Sequence, residues 1–440
     1  MIDSKLEQSN AAGCRLRLLR SFVRCDDRLI TADELDSAVV ATAAALAHFR
    51  GRRIALLAQR ADQIMVALTA SELAQCQVLL CRTPELTADL IQEWNIAAVV
   101  DSSMAVRPTK CDGDNFSDFS VLVMTSGTTG RPKLAQHSID ALLGRIRPAK
   151  AGRSPQKWLL TYHPATYGGL QVLLSCIING TELITTSNPT VANLCEVALR
   201  YHPSSISGTP TFWRSFLLVL GPGASDLKLQ QITLGGEIAD AHILKALRRA
   251  YPAASISHIY ASTEAGALFS VRDGLPGFPA AWINAGVEGV QLRIRDGVLQ
   301  VKSPRGMTRY VVGAPTPGVT EDGWLITGDL VEQAGDRIYF AGRQDTMLNL
   351  GGAKVRPEEV EQVLLGLPEI VDARVYGVRN PITGVVLAAD LVAQPGRDVA
   401  SLRATLPAKL RATLEHYKVP RILNFVGSIS MSEAGKKKLA

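Results

Sequence analysis

The sequence has 440 residues, 47% apolar and 20% charged, a balance that excludes a disordered chain and provides for a large core. Lys and Arg number 47 against 41 Asp and Glu, and the net charge of +6 is scattered, which argues against a nucleic-acid surface. The seven cysteines show neither metal-ligand spacing nor a disulfide framework, no apolar run approaches the ~20 residues of a membrane span, and residues 1–30 lack a secretory pattern, so a cytosolic protein with buried reduced thiols is expected.

Thr31, with Glu34 three residues on, predicts the N-cap of a helix reaching Phe49. Residues 53–58 read as a strand, 61–75 as a helix, and 78–81, 96–101 and 119–125 as strands. Helix patterns follow at 139–146, 170–178, 191–201, 211–220 and 239–250. Strands fall between them at 158–162, 182–185, 231–234 and 255–260. This alternation predicts an α/β protein with parallel sheets covered by helices. After Tyr260 the pattern changes. Residues 289–340 read as short strands and turns, with Asp296-Gly297 as a hairpin signal. From Gln344 an α+β unit follows, with helices at 357–365 and 399–414, the second bent or restarted at Pro407. Its strands are expected at 371–378, 385–392 and 421–426. The expected division is a large N-terminal domain over 1–344, with a small β-rich subdomain at about 285–344, and a small C-terminal domain over 345–440.

Five stretches carry chemistry. An apolar strand from Val121 runs into Thr125, Ser126, Gly127, Thr128, Thr129 and Gly130, with Lys133 just beyond. Glycines and hydroxyls in such a turn can cradle phosphate oxygens, although the spacing is not that of a Walker A loop. Locally, a Thr-rich surface turn reads as well. Thr263 and Glu264 follow a strand, at the edge where α/β sheets bind ligands, and a carboxylate there can hold Mg²⁺. Asp329 could accept hydrogen bonds from a ribose diol, and Arg343 could reach the same sugar or a phosphate. A Gly-rich turn, Gly351, Gly352 and Lys354, leads into the helix at 357. Lys436 stands near the end of the chain, where a lysine cluster is ordinarily solvated.

Taken together and in this order, the five stretches resemble the acyl-adenylate-forming enzymes: acyl- and aryl-CoA synthetases, adenylation domains of peptide synthetases, and luciferase. The resemblance runs from Val121 to Lys436 and more loosely back to about Thr31. It implies that a carboxylate attacks the α-phosphate of Mg·ATP, and that the acyl-adenylate then meets a thiol. Thr125 to Thr129 and Lys133 would hold the β,γ-phosphates, Glu264 the Mg²⁺, and Thr263 the α-phosphate. Gly235, Gly236, Glu237, Tyr260 and Ala261 would frame the adenine. Asp329 would take the ribose hydroxyls with Arg343 nearby, and Lys436 would bridge carboxylate and α-phosphate. The C-terminal domain would be mobile about a hinge at Asp345, withdrawing Lys436 and bringing Gly351, Gly352 and Lys354 to the thiol tunnel.

The sequence also departs from the family pattern. The phosphate loop comes early, so the N-terminal part is abbreviated. Ala261 stands where the family usually has Gly. Thr166 stands where many acyl-CoA synthetases have a His, and His163 is displaced by three residues. The resemblance places the acid pocket around Thr166, Tyr167, Gly169, Gly208 and Trp213. No Asp suited to an α-amino group lies at 161–173 or 202–213, which favours an aryl or fatty acid over an amino acid. The thiol is that of CoA or of a phosphopantetheine carrier protein, and a non-catalytic nucleotide-binding homologue is the remaining reading. Monomer and homodimer both stay open.

Overall fold

Strands with no polar face need cover on both sides. Arg53–Leu56, Gln77–Leu80 and Ser120–Thr125 are of this kind, buried along nearly their whole length. In the computed structural model, which describes residues 14–18, 21–125, 132–148, 156–311, 318–350, 352–380 and 384–438, they form the middle of a seven-stranded sheet. Its central pairs are parallel, and its edges, Lys133–Ser138 with Arg309–Tyr310 and Val106–Pro108, are antiparallel. A second sheet of eight strands has Lys157–Leu160, Ser205–Gly208, Gln231–Gly235 and Ser255–Ser262 in parallel, with Gly266–Val271 returning at one edge.

One core joins the two sheets. Helix Ala61–Leu73 is buried on almost every face, and with Tyr167–Asn179 it fills the space between them. The capping box at Thr31 and Glu34 is formed, and helix Ala32–Leu46 continues as a 3₁₀ turn to Phe49.

A five-stranded antiparallel sheet follows, starting earlier than expected with Phe278–Pro279. Its hairpin turns at Asp296 and Gly297, whose φ angles of 51° and 74° are those a two-residue turn of the favoured hand requires. The chain then builds a unit with its own core. Helices Pro357–Leu365 and Val399–Arg411 cover the sheet of Ile370–Asn380, Gly384–Ala393 and Ile422–Phe425.

Several expectations are corrected. Pro407 does not restart its helix; Leu402, Leu406 and Leu410 are buried, and their packing outweighs one lost backbone bond. The helix expected at 139–146 stops at Leu143, where Gly144 caps it. Strands Phe22–Cys25, Arg28–Ile30, Lys133–Ser138 and Gly266–Val271 had no clear alternation to announce them. All seven cysteines stand outside disulfides, and four are buried. Among the described residues no helix is long and apolar enough to cross a membrane.

Candidate active site

The parallel strands Ser205–Gly208, Gln231–Gly235 and Ser255–Ser262 end together, and the chain leaves each of them at one edge of the sheet. Such an edge is where open α/β sheets take ligands. Gly235 ends the middle strand, and Gly236 follows it. Gly236 has a φ of +83°, and a Cβ there would lie 3.2 Å from Cε of Lys436. The glycine therefore makes room for a lysine 200 residues away in the chain.

Tyr260 stands at a bulge within its strand, and its hydroxyl donates to Asp329. Arg343 lies opposite Asp329 in the antiparallel register and donates to its other oxygen at 3.0 Å. The same guanidinium holds Asp345 at 2.9 Å. Burial pushes the Asp329 carboxyl up, and the Tyr260 hydrogen bond, Arg343 and Lys436 pull against it. Burial, then the Asp329 charge, pushes the Tyr260 hydroxyl far above its ordinary value, so it remains a donor. Ala261 pairs with Ala267 just past the bulge and is not among the residues with positive φ. Alanine therefore fits where the family resemblance led one to expect glycine.

In the first sheet, Thr125 closes its strand and pairs with Lys133 on the return strand. Ser126, Gly127, Thr128, Thr129 and Gly130 lie outside the described residues. Lys133 Nζ lies 5.4 Å from the centre of the Tyr310 ring. The Tyr310 hydroxyl donates to Glu264 at 2.6 Å. Thr125, Lys133 and Glu264 thus converge around Tyr310, with Thr263 beside them. Tyr310 belongs to this group but carries no local sequence signal, because only the sheet edge brings it there. Beneath them His137 is fully buried, 5.5 Å from the Tyr167 ring, and burial lowers its pKa to about 4.

Lys436 is set in a tight turn. The Gly435 N–H donates to the Ser432 carbonyl at 2.8 Å, and the Ser432 N–H to the Lys436 carbonyl at 2.7 Å. Gly435 takes a φ of +69°, the left-handed region that favours glycine. The Thr209 hydroxyl donates to the Gly435 carbonyl at 2.5 Å. The Lys437 N–H donates to Glu237 Oε1 at 2.7 Å, and the other Glu237 oxygen accepts the Thr211 N–H at 3.0 Å. Both carboxylate oxygens of Glu237 are therefore taken up by main chain. Gly352 and Lys354 lie apart, on the hairpin of Leu348–Leu350 with Ala353–Val355, with Lys354 exposed; Gly351 lies outside the described residues.

Much of the expected acid pocket has architectural duties. Thr166 caps helix Tyr167–Asn179, accepting from Gly169 N–H at 3.2 Å and donating to the His163 carbonyl at 2.7 Å. A Cβ on Gly169 would stand 2.2 Å from that carbonyl, and one on Gly208 would stand 2.4 Å from the Phe212 ring. Tyr167 accepts the Ala267 N–H at 3.0 Å. Trp213 is wholly buried among Phe212, Phe216 and Tyr251, and its indole donates to the Thr233 carbonyl at 3.2 Å. It is a core residue, reached by the sequence only because it follows the Ser207-Gly208 segment. His163 accepts the Ala165 N–H at Nδ1, so its Nε2 carries the proton facing Gln59 at 2.9 Å.

Two family models match the chain: "AMP-binding enzyme" over residues 74–307 and "AMP-binding enzyme C-terminal domain" over 359–436. A 3-hydroxybenzoate–CoA ligase of Aromatoleum sp. is 28% identical over 342 residues, 72% of this chain and 65% of the relative. A fatty acid–[acyl-carrier-protein] ligase of Mycobacterium marinum is 26% identical over 369 residues, 75% of this chain and 68% of the relative. These matches span about two thirds of the relatives' length. Among solved structures, a benzoate CoA ligase from Burkholderia xenovorans superposes with a TM-score of 0.76 at 20% identity, covering 94% of this chain and 95% of the other.

Proposed function

The chain belongs to the AMP-binding enzyme family, and from that premise we propose that it is an AMP-forming acid–thiol ligase. It activates an aryl or fatty acid with Mg·ATP and passes the acyl group to the thiol of CoA. The observation that carries this reading is the position of Lys436. Its stem passes Gly236, and its charge draws down the pKa of the half-buried Asp329 that faces Tyr260 and Arg343.

In the proposed reaction, Asp329 accepts the ribose hydroxyls while Tyr260 and Arg343 hold it in place. Thr125, Lys133 and residues 126–130 bind the β,γ-phosphates, and Thr263 the α-phosphate. Glu264 would hold Mg²⁺ through the carboxylate oxygen that Tyr310 does not engage. When bound, the ion would neutralise phosphate charge. Lys436 holds the acid carboxylate against the α-phosphate and offsets the charge that builds there. The 345–440 part then turns about Asp345, withdraws Lys436 and presents Gly351, Gly352 and Lys354 to the thiol.

A carrier protein is the second acceptor, favoured by the likeness to an acyl-carrier-protein ligase. Pyrophosphate release is the test, measured with Mg·ATP across aryl, fatty and amino acids, each with CoA, with phosphopantetheinylated carrier, or with neither. Turnover stimulated by CoA with one acid class supports the CoA reading. Stimulation by carrier alone moves the acceptor. No release with any acid overturns the proposal.

A further inference from the structure

Lys436 works only where the chain on either side of it is held, and the structure holds it from both directions. From the N-terminal part, Thr209 binds the Gly435 carbonyl and Glu237 binds the Lys437 N–H. From the C-terminal part, the Lys437 side chain donates to Glu361 at 2.7 Å and to the Ala373 carbonyl at 2.5 Å. Its Nζ also lies 3.7 Å from Asp372. Asp372 in turn faces Arg214 at 3.4 Å, and Arg214 is paired with Asp240. Arg214 and Asp372 side chains are only 7% and 2% exposed, and Oδ2 of Asp372 is buried with no hydrogen-bond partner among the described residues. So much charge, so poorly satisfied, is a weak source of stability. It does bind one geometry specifically, because Glu237, Lys437, Arg214 and Asp372 each lose a partner when the two parts separate.

We infer that Glu237, Arg214 and Asp372 are positioning residues: they form a latch that holds the C-terminal part where Lys436 enters the site, and that opens before the thiol step. This rests on the proposed two-step function. Arg214 and Asp372 contact no part of ATP or the acid in that scheme, so their effect is confined to the step that needs Lys436. The one unsatisfied oxygen of Asp372 makes the closed state easy to leave, which a reversible latch requires. Lys437 is its link to the tail: its backbone reads Glu237 and its side chain reads Asp372 and Glu361.

The test compares the full chain with Glu237→Gln and Asp372→Asn. Glutamine keeps one acceptor, so one of the two backbone N–H groups loses its partner. Asparagine keeps the shape and loses the charge that Arg214 and Lys437 face. ATP–pyrophosphate exchange should fall roughly 10- to 100-fold in both variants, the effect of losing one charged hydrogen bond, and in Asp372→Asn this should come with little change in KM for ATP. For Asp372→Asn, thioester formation from supplied acyl-adenylate should be unchanged. Amide hydrogen exchange in peptides covering 432–438 should quicken in both variants while melting stays cooperative. If one variant does not fold, the other decides. Equal losses in both half-reactions, or unaltered exchange protection of 432–438, overturn the latch. The amide measurement needs no turnover, so a wild-type chain inactive toward every acid would sink the proposed function and still leave the latch decided.

Discussion

Thr209 and Gly435 are 226 residues apart, and the hydroxyl of one donates to the carbonyl of the other at 2.5 Å. A Cβ on Gly435 would lie 3.3 Å from both the Thr209 methyl and the Tyr162 ring. The tail carrying Lys436 is thus seated by close contact as well as by a hydrogen bond. Lys436→Ala should abolish pyrophosphate exchange. Gly435→Ala keeps the lysine but imposes roughly 1–2 kcal/mol of left-handed strain, so exchange should fall about tenfold. A Gly435→Ala enzyme exchanging at the wild-type rate would show that the turn does not aim Lys436.

Tyr260→Phe removes the hydroxyl that steadies Asp329 and leaves the ring among Phe269 and Phe340. A hydrogen bond to a charged partner is worth about 1.5–3 kcal/mol, so KM for ATP should rise roughly tenfold or more. KM for the acid should hardly move. Steady-state kinetics separates the two, and an equal rise in both would move Asp329 away from the ribose.

Glu264→Gln should raise the Mg²⁺ concentration needed for half-maximal activity, because a neutral amide is a poorer ligand for a hard cation. Tyr310→Phe, which frees one Glu264 oxygen, should change that requirement less. Magnesium titrations of both variants at fixed ATP check the order.

His137 adds a pH dependence. Burial lowers its pKa to about 4, below the 6.5 of an unfolded histidine. Between those values only the unfolded chain takes up the proton. Stability from this residue is complete above pH 6.5 and is lost as pH falls toward 4, by about 3 kcal/mol in all. Melting curves of His137→Phe against wild type over that range should show a smaller acid-side loss in the variant.

Gly169→Ala asks whether that glycine serves the substrate or the fold. Its Cβ would stand 2.2 Å from the His163 carbonyl. Forced overpacking costs about 1–3 kcal/mol or more, so the melting temperature should drop clearly. An unchanged melting temperature with altered acid preference would return Gly169 to the pocket wall.

Local signals in the sequence carried the order of the elements and most of the positions proposed to face ligand. Apolar runs and helical spacing are local properties, and they placed helix Val191–Tyr201, the hairpin at Asp296-Gly297 and the capping box at Thr31. Ordered motifs likewise marked Thr125, Lys133, Glu264, Asp329, Arg343 and Lys436. Tertiary structure decided what those local signals could not carry. Tyr310 meets Glu264 only through a sheet edge, and Glu237 binds main chain 200 residues away. Trp213 sits in the core because helix Pro210–Leu220 turns it inward. Arg214 and Asp372, unremarkable in sequence, become a buried pair only when the two parts of the chain pack together. Desolvation and pairing depend on what surrounds a charge, and for these residues the surroundings come from distant chain.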